Sequence, residues 1–335
     1  MNVKLKLSLL YFVLSLFLIG CATYQEQYHS SVTNWKIENN QIDSDISHTF
    51  YLIGDAGNAK KDTPLTHFNL LKQELNSASK NSTVLFLGDN IYEKGMPKKS
   101  DPDRALAEHR LDVQLDLVKE FNGQPIFIPG NHDYYSNGIK GLEREADYIK
   151  DKLDNKDSFL PKNGCPLKKV DITDDLVLLI VDSQWYLENW DDNPTINDDC
   201  DIKTRHQFFA EFESIIKKNV TKTMLIAIHH PMFSNGAHGG QYSLKSQFHP
   251  FKNTIPLPGI GTLTNILRKT SGISPQDMNN SLYLELKKRV VTLSQKSKKI
   301  IFASGHEHNL QYIVKDNKPQ IVSGSGSKTK PSRVI

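Results

Sequence analysis

Six apolar runs in this sequence lead to residues that can hold a metal or move a proton. "TFYLIG" leads to Asp55, "TVLFLG" to Asp89, "PIFIPG" to Asn131 and His132, "LVLLIV" to Asp182, "TMLIAI" to His229 and His230, and "KIIFAS" to His306 and His308. Carboxylates, imidazoles and an amide carbonyl brought to one place suit a pair of hard ions that prefer oxygen and nitrogen donors. One such stretch proves little. Taken alone, Asp89 and Tyr92 in "TVLFLGDNIYEKG" read as a turn carboxylate and a packing aromatic, since Asp and Asn are common at strand ends. Recurrence after one run and the next turns the pattern into a candidate site.

To gather these residues, the runs must be strands whose carboxyl ends coincide. The runs alternate with longer amphipathic segments, such as "RALAEHRLDVQLDLVKEF" and "RHQFFAEFESIIKKN", that show helical spacing. That alternation signals an α/β domain with a buried sheet, where catalytic groups collect at the carboxyl ends of strands. The 335 residues, 38% hydrophobic and 24% charged, exclude disorder over the whole chain. With 41 Lys and Arg against 38 Asp and Glu, no nucleic-acid footprint is visible.

The first residues form a lysine-bearing start followed by an uncharged apolar run, Leu7 to Ile19. That run is shorter than the ~20 residues a bilayer span needs and has the layout of a secretory leader. Leu18, Ile19, Gly20 and Cys21 resemble the lipobox of bacterial lipoproteins. Residues 1–20 are therefore expected to be a leader, with Cys21 as a lipid anchor on the periplasmic or cell-surface side. The alternative is an ordinary cleaved signal. Residues 21–47 read as a polar tether and 48–335 as the catalytic domain. With Cys21 lipidated, Cys165 and Cys200 remain as a pair in an oxidising compartment. A disulfide, two separate buried thiols and metal ligation are all open to them, although no CxxC accompanies them to favour zinc.

Five motifs in order, "GDAG" (54–57), "GDNIY" (88–92), "GNHD" (130–133), "AIHHPMFSNGAHG" (227–239) and "GHEHNLQY" (305–312), resemble those of the calcineurin-like metallophosphoesterases. Within that family they resemble the purple acid phosphatases of the tartrate-resistant type. The resemblance implies a four-layer α/β/β/α sandwich. It also implies a binuclear centre of Fe(III) and a divalent ion (Fe, Zn or Mn), the ions ~3.5–4 Å apart. Most of the superfamily has a histidine ligand where this chain has Gly57, and Tyr92 stands where the purple enzymes place a phenolate. Carried over by motif, Asp55, Asp89, Tyr92 and His308 fall on the ferric ion, while Asn131, His229 and His306 join the bridging Asp89 on the second ion.

Two histidines at i, i+2 on an extended segment face opposite ways, so "GHEH" must turn for His306 and His308 to reach different ions. His132 and His238 are the implied acids for the leaving alcohol, with His238 otherwise a solvating loop histidine. Asp133 is expected to orient His132, and His230 to be structural. The implied reaction is hydrolysis of a small phosphomonoester in acid, by hydroxide drawn from water at the metals and attacking phosphorus in line. The alternatives are a phosphodiesterase or nucleotide phosphatase on the same metals, and a surface lipoprotein that binds without catalysis.

Two departures from the family pattern stand out. Residues 241–276 form a long insert expected to act as a lid, and fewer strands than usual follow the last motif, as in a fragment or an abbreviated sheet. "GSGSKT" fails as a phosphate loop because Ser327 stands where glycine must precede the lysine.

Overall fold

In the larger of two compact units, all six apolar runs become parallel neighbours in two sheets. The computed structural model describes residues 22–32, 45–63, 65–249 and 255–334. The leader and Cys21 lie outside these residues. The larger unit takes in the described residues from 45 to 234 and from 285 to 329; the smaller takes in those from 22 to 32, 235 to 284 and 330 to 334. No helix among the described residues is long and apolar enough to cross a membrane.

In the larger unit β1 (Thr49–Ile53), β2 (Ser82–Phe86) and β3 (Gln124–Phe127) form a parallel sheet in that order. Its register sets Ile53 beside Phe86 and Phe86 beside Phe127, so the carboxyl ends are level. The second sheet comprises β4 (Leu167–Asp171), β5 (Leu176–Val181), β6 (Thr223–Ile228), β7 (Ile300–Ser304), β8 (Leu310–Lys315) and β9 (Lys318–Ser323), in the order β4-β5-β6-β7-β9-β8. Strands β5, β6, β7 and β9 are parallel, and β4 and β8 pair antiparallel at the edges. Val181 pairs with Ile228 and Ala227 with Ala303, which aligns the ends of this sheet too.

The sheets pack face to face. Leu85, Leu87, Ile126 and Ile128 of the first meet Leu178, Ile180, Leu225, Ala227 and Ala303 of the second in one core. Every second residue points inward, as the strand period demands. The alternate residues, among them Val84, Phe86, Leu179 and Ile226, are buried as well, so both faces of these strands are covered.

Two groups of helices supply the outer layers. In one, α1 (Thr66–Ser77), α2 (Arg104–Leu115), the short α3 (Asn131–Tyr134) and α4 (Ile139–Leu153) are linked by contacts such as Tyr148 to Asp112. In the other, α6 (Arg205–Lys218) follows the short α5 (Ser183–Leu187) and pairs with α9 (Ser281–Ser294), with Arg289 over the Phe209 ring. Together these make the expected α/β/β/α sandwich. Asp182, though it ends a run like the others, caps α5 by accepting from the Trp185 N–H. Cys165 and Cys200 are joined in a disulfide across 35 residues.

The smaller unit contains α7 (Leu244–Phe248), α8 (Pro258–Ser271) and the start of α9. Gly261 of α8 lies so close to the backbone of Gln247 that a Cβ would clash. Part of the expected tether folds here. Ala22 is buried and its N–H donates to Tyr242 O, while Thr23 exchanges backbone hydrogen bonds with Ser332. An extended polar segment can satisfy its backbone by pairing with another one, whatever its side chains.

Candidate metal centre

Level strand ends bring Asp55, Asp89 and Asn131 out together from the first sheet, and His229 and His306 from the second. Asp55 (φ 57°), Asp89 (φ 56°) and His306 (φ 68°) lie in the left-handed region, which Asp, Asn and His enter more readily than most residues. Each turns the chain sharply as it leaves its strand. At His306 this is the turn that the i, i+2 spacing required, and it carries His306 and His308 to different partners.

The first group of donors centres on Tyr92. Its hydroxyl lies 2.7 Å from Asp55 Oδ1, 2.9 Å from Asp89 Oδ2 and 3.0 Å from His308 Nε2. The second group centres on Asn131. Its Oδ1 lies 3.2 Å from both His229 Nε2 and His306 Nδ1. Asn131 is held in that orientation because its Nδ2 donates to Tyr135. His229 Nδ1 contacts the Leu87 carbonyl at 2.7 Å; a carbonyl only accepts, so Nδ1 carries the proton and Nε2 presents a lone pair. Asp89 joins the groups: Oδ2 meets Tyr92, and Oδ1 lies 3.5 Å from His229 Nε2.

The electrostatics favour a cation at the first group. Asp55 and Asp89 are fully buried. Burial, then the Asp89 charge, pushes Asp55 well above the usual carboxylate range. Burial would raise Asp89 too, but His229 and His132 outweigh it and hold its carboxyl below that range. Burial and both carboxylates keep the Tyr92 phenol protonated far above 10.0. A single phenolic proton cannot serve two carboxylates at once, so protons crowd here where a cation would do better. His229 with Asp55 and Asp89, and His229 with His230 and His306, each place ligand atoms within 4.8 Å of one another. The donor set of carboxylate, phenol, amide oxygen and imidazole fits a pair of hard ions.

Asp133 does something other than orient His132. Its carboxylate accepts the N–H groups of Asp89, Ile91 and Gly130, and so ties the second motif to the third. Asn90 Nδ2 donates to Glu145 of α4 and to the Ile128 carbonyl, a support that no motif announced. Gly57 is equally constrained: a Cβ there would come within 2.3 Å of the Asn90 carbonyl oxygen, while Gly57 O accepts from Tyr92 N. The close approach that leaves no room for a histidine at 57 also fixes Tyr92.

His132, half-buried, donates its backbone N–H to Asp89 Oδ1, and its Nδ1 contacts the Glu93 carbonyl at 2.6 Å. His230 is buried with Nδ1 at 2.7 Å from Ser183 Oγ, and its ring lies 4.3 Å from that of His306. His238 belongs to the smaller unit, where Nδ1 is 3.3 Å from Asp277, a buried carboxylate that also takes two hydrogen bonds from Arg268. The dismissed "GSGSKT" stretch proves to be part of the surroundings: Ser327 hydrogen-bonds Asp55 O and Asn58 N, and Lys328 Nζ stands 3.3 Å from the Tyr92 ring centroid. Its glycines and serine suggest a turn, but only the fold shows what that turn faces.

Residues 48–310 match the model of the calcineurin-like phosphoesterases, and the chain belongs to that family of metal-dependent phosphoester hydrolases. No curated protein matches it. Among solved structures it is similar to GAP50, the anchor in the inner membrane complex of Plasmodium, at 13% identity and a TM-score of 0.49, over 85% of this chain and 74% of that one. It is also similar to the phosphopantetheinyl hydrolase PptH of Mycobacterium tuberculosis, at 12% identity and a TM-score of 0.38, over 86% and 96%. Likeness at this level says nothing about substrate.

Proposed function

We propose that this family member is an acid phosphomonoesterase of the purple acid phosphatase type, exported and held to a membrane through Cys21. The observation that carries the reading is the Tyr92 hydroxyl among Asp55, Asp89 and His308. A phenolate is a hard anionic donor suited to Fe(III). Asp55, Asp89, Tyr92 and His308 would hold that ion, and Asp89, Asn131, His229 and His306 a divalent one. The pair supplies Lewis acidity toward phosphoryl oxygens and acidifies water.

The chain's own residues do the rest. Asp133 and Asn90 keep the ligand loops in register. His132 Nδ1 must carry a proton, because it faces a carbonyl; protonated at Nε2 as well, the ring can hand that proton to a departing alkoxide. His238, with Nδ1 3.3 Å from the buried Asp277 carboxylate, is the second acid of this reading.

The test is spectroscopic. Oxidised, iron-loaded protein should absorb in the visible by phenolate-to-iron charge transfer, and Tyr92→Phe should remove the band. A colourless protein that binds only zinc or manganese would overturn the ferric assignment. A substrate panel that favoured diesters over monoesters would overturn the monoesterase one.

A further inference from the structure

Helix α8 is inside out for a helix surrounded by water. Ile260, Leu263, Ile266 and Leu267 are 48%, 57%, 51% and 40% exposed, while Asn265 is buried. Their spacing puts the four aliphatic side chains on one face. Helix α7, which meets α8 where Gln247 approaches Gly261, adds exposed Leu244 and Phe248, an i, i+4 pair.

Charge singles out the same segment. Residues 244–271 carry Lys245, Lys252, Arg268 and Lys269 and no Asp or Glu, in a chain whose charges otherwise nearly balance. Arg268 is tied to Asp277, but Lys245 and Lys269 have no acidic residue in their own segment, and exposed Leu and Ile beside Lys are what an interfacial helix presents to anionic headgroups. The third observation concerns chain position. Ala22 follows Cys21 directly, is buried, and donates its N–H to Tyr242 O at 3.1 Å. Tyr242 is two residues before α7. The point at which a Cys21 anchor would leave the described chain is thus hydrogen-bonded beside the start of the α7–α8 hairpin, with no slack between.

We propose that the α7–α8 hairpin docks on an anionic lipid bilayer, its aliphatic face sunk at the headgroup boundary. The proposal is independent of the phosphatase reading, and a lipid-free form separates it from lipidation at Cys21.

The experiment uses the processed chain with Cys21→Ser, floated with vesicles of phosphatidylethanolamine and phosphatidylglycerol, or of phosphatidylcholine alone. Binding to the anionic vesicles is expected, at least tenfold weaker with phosphatidylcholine. The fourfold variant Ile260→Ser, Leu263→Ser, Ile266→Ser, Leu267→Ser should lose at least tenfold in partitioning while keeping its thermal midpoint. In Leu263→Cys on the same background the new cysteine is the one free thiol, since Cys165 and Cys200 are bridged. An environment-sensitive dye there should shift to the blue with vesicles and resist an aqueous quencher. A Cys21→Ser chain that stays in the aqueous phase at every lipid concentration would overturn the proposal. So would equal binding by the fourfold variant, or a self-associated dimer that the variant dissolves and vesicles do not compete for.

Discussion

The two units invert the usual rule of burial in opposite ways. In the larger unit, carboxylates and a phenol that water would solvate are enclosed: Asp55, Asp89 and Tyr92 are 0%, 1% and 2% exposed. In the smaller, aliphatic side chains that water disfavours stand outside on α8. Neither arrangement is the stable choice for a chain alone in water. Burying charge without a counter-charge is costly, and so is exposing a contiguous apolar face. Each becomes favourable with something from outside the chain, a cation in one case and an apolar surface in the other. Unusual burial is therefore more telling here than residue type: His132 and His48 are both histidines, but only the former adjoins an enclosed cluster of carboxylates.

The sharpest way to break the comparison is to remove Asp89, the carboxylate that joins the two donor groups. Asp89→Ala should abolish turnover on every substrate together with metal content, and should also abolish the rise in melting temperature that added metal gives the unmodified protein. Metal analysis and calorimetry check this; a variant that kept both ions would show that the buried cluster is not their site.

A smaller effect, ~10²–10⁴ in rate, is expected of His132→Ala, with both metals retained. The loss should be greatest with alkyl phosphates and shrink with nitrophenyl phosphate, whose leaving group departs without a proton. Equal losses on both would assign His132 to the framework instead.

Asp182 sharpens the comparison within the larger unit. It ends a strand like Asp55 and Asp89 but lies at a helix cap, and burial raises its carboxyl to about 7. A raised folded-state value means that the folded protein binds the proton more tightly than the unfolded chain does. Its contribution to stability is whole below the unfolded value of 3.8 and is lost as pH rises through about 7. Chemical denaturation between pH 4 and 7 should show a shallower fall for Asp182→Asn than for the unmodified protein.

The smallest effect is expected in the smaller unit. Leu263→Ser in solution should change unfolding free energy by less than ~0.5 kcal/mol, as exposed substitutions do, whereas Leu178→Ala in the core should cost ~2–5 kcal/mol. Urea denaturation of both variants measures the contrast. A large loss at Leu263 would mean that the chain itself covers that face.

Much of the centre was legible because each motif is short and follows its own strand. Asp55, Asp89, Asn131, His229 and His306 are placed by the local sequence of an apolar run and a turn, and parallel register then makes their ends level. The family resemblance links Gly57 with Tyr92, and the structure brings the two together through the hydrogen bond from Tyr92 N to Gly57 O. The steric reason was not legible, because the clash is with the Asn90 backbone, and no side-chain pattern encodes a backbone-to-backbone approach.

The sequence by itself determined which donors exist, the order of strands and helices, and an acid-free segment rich in aliphatic residues. Only the tertiary structure decided that Asp133 binds three backbone amides instead of His132, that Glu145 supports Asn90 from a helix, that Cys165 pairs with Cys200, and that Lys328 stands over Tyr92. It also decided which way α8 faces. A helical period shows that Ile260, Leu263, Ile266 and Leu267 share a side, but a side becomes inside or outside only when something packs against the other one. In this chain that something is α7 at Gly261, a contact set by the absence of a side chain.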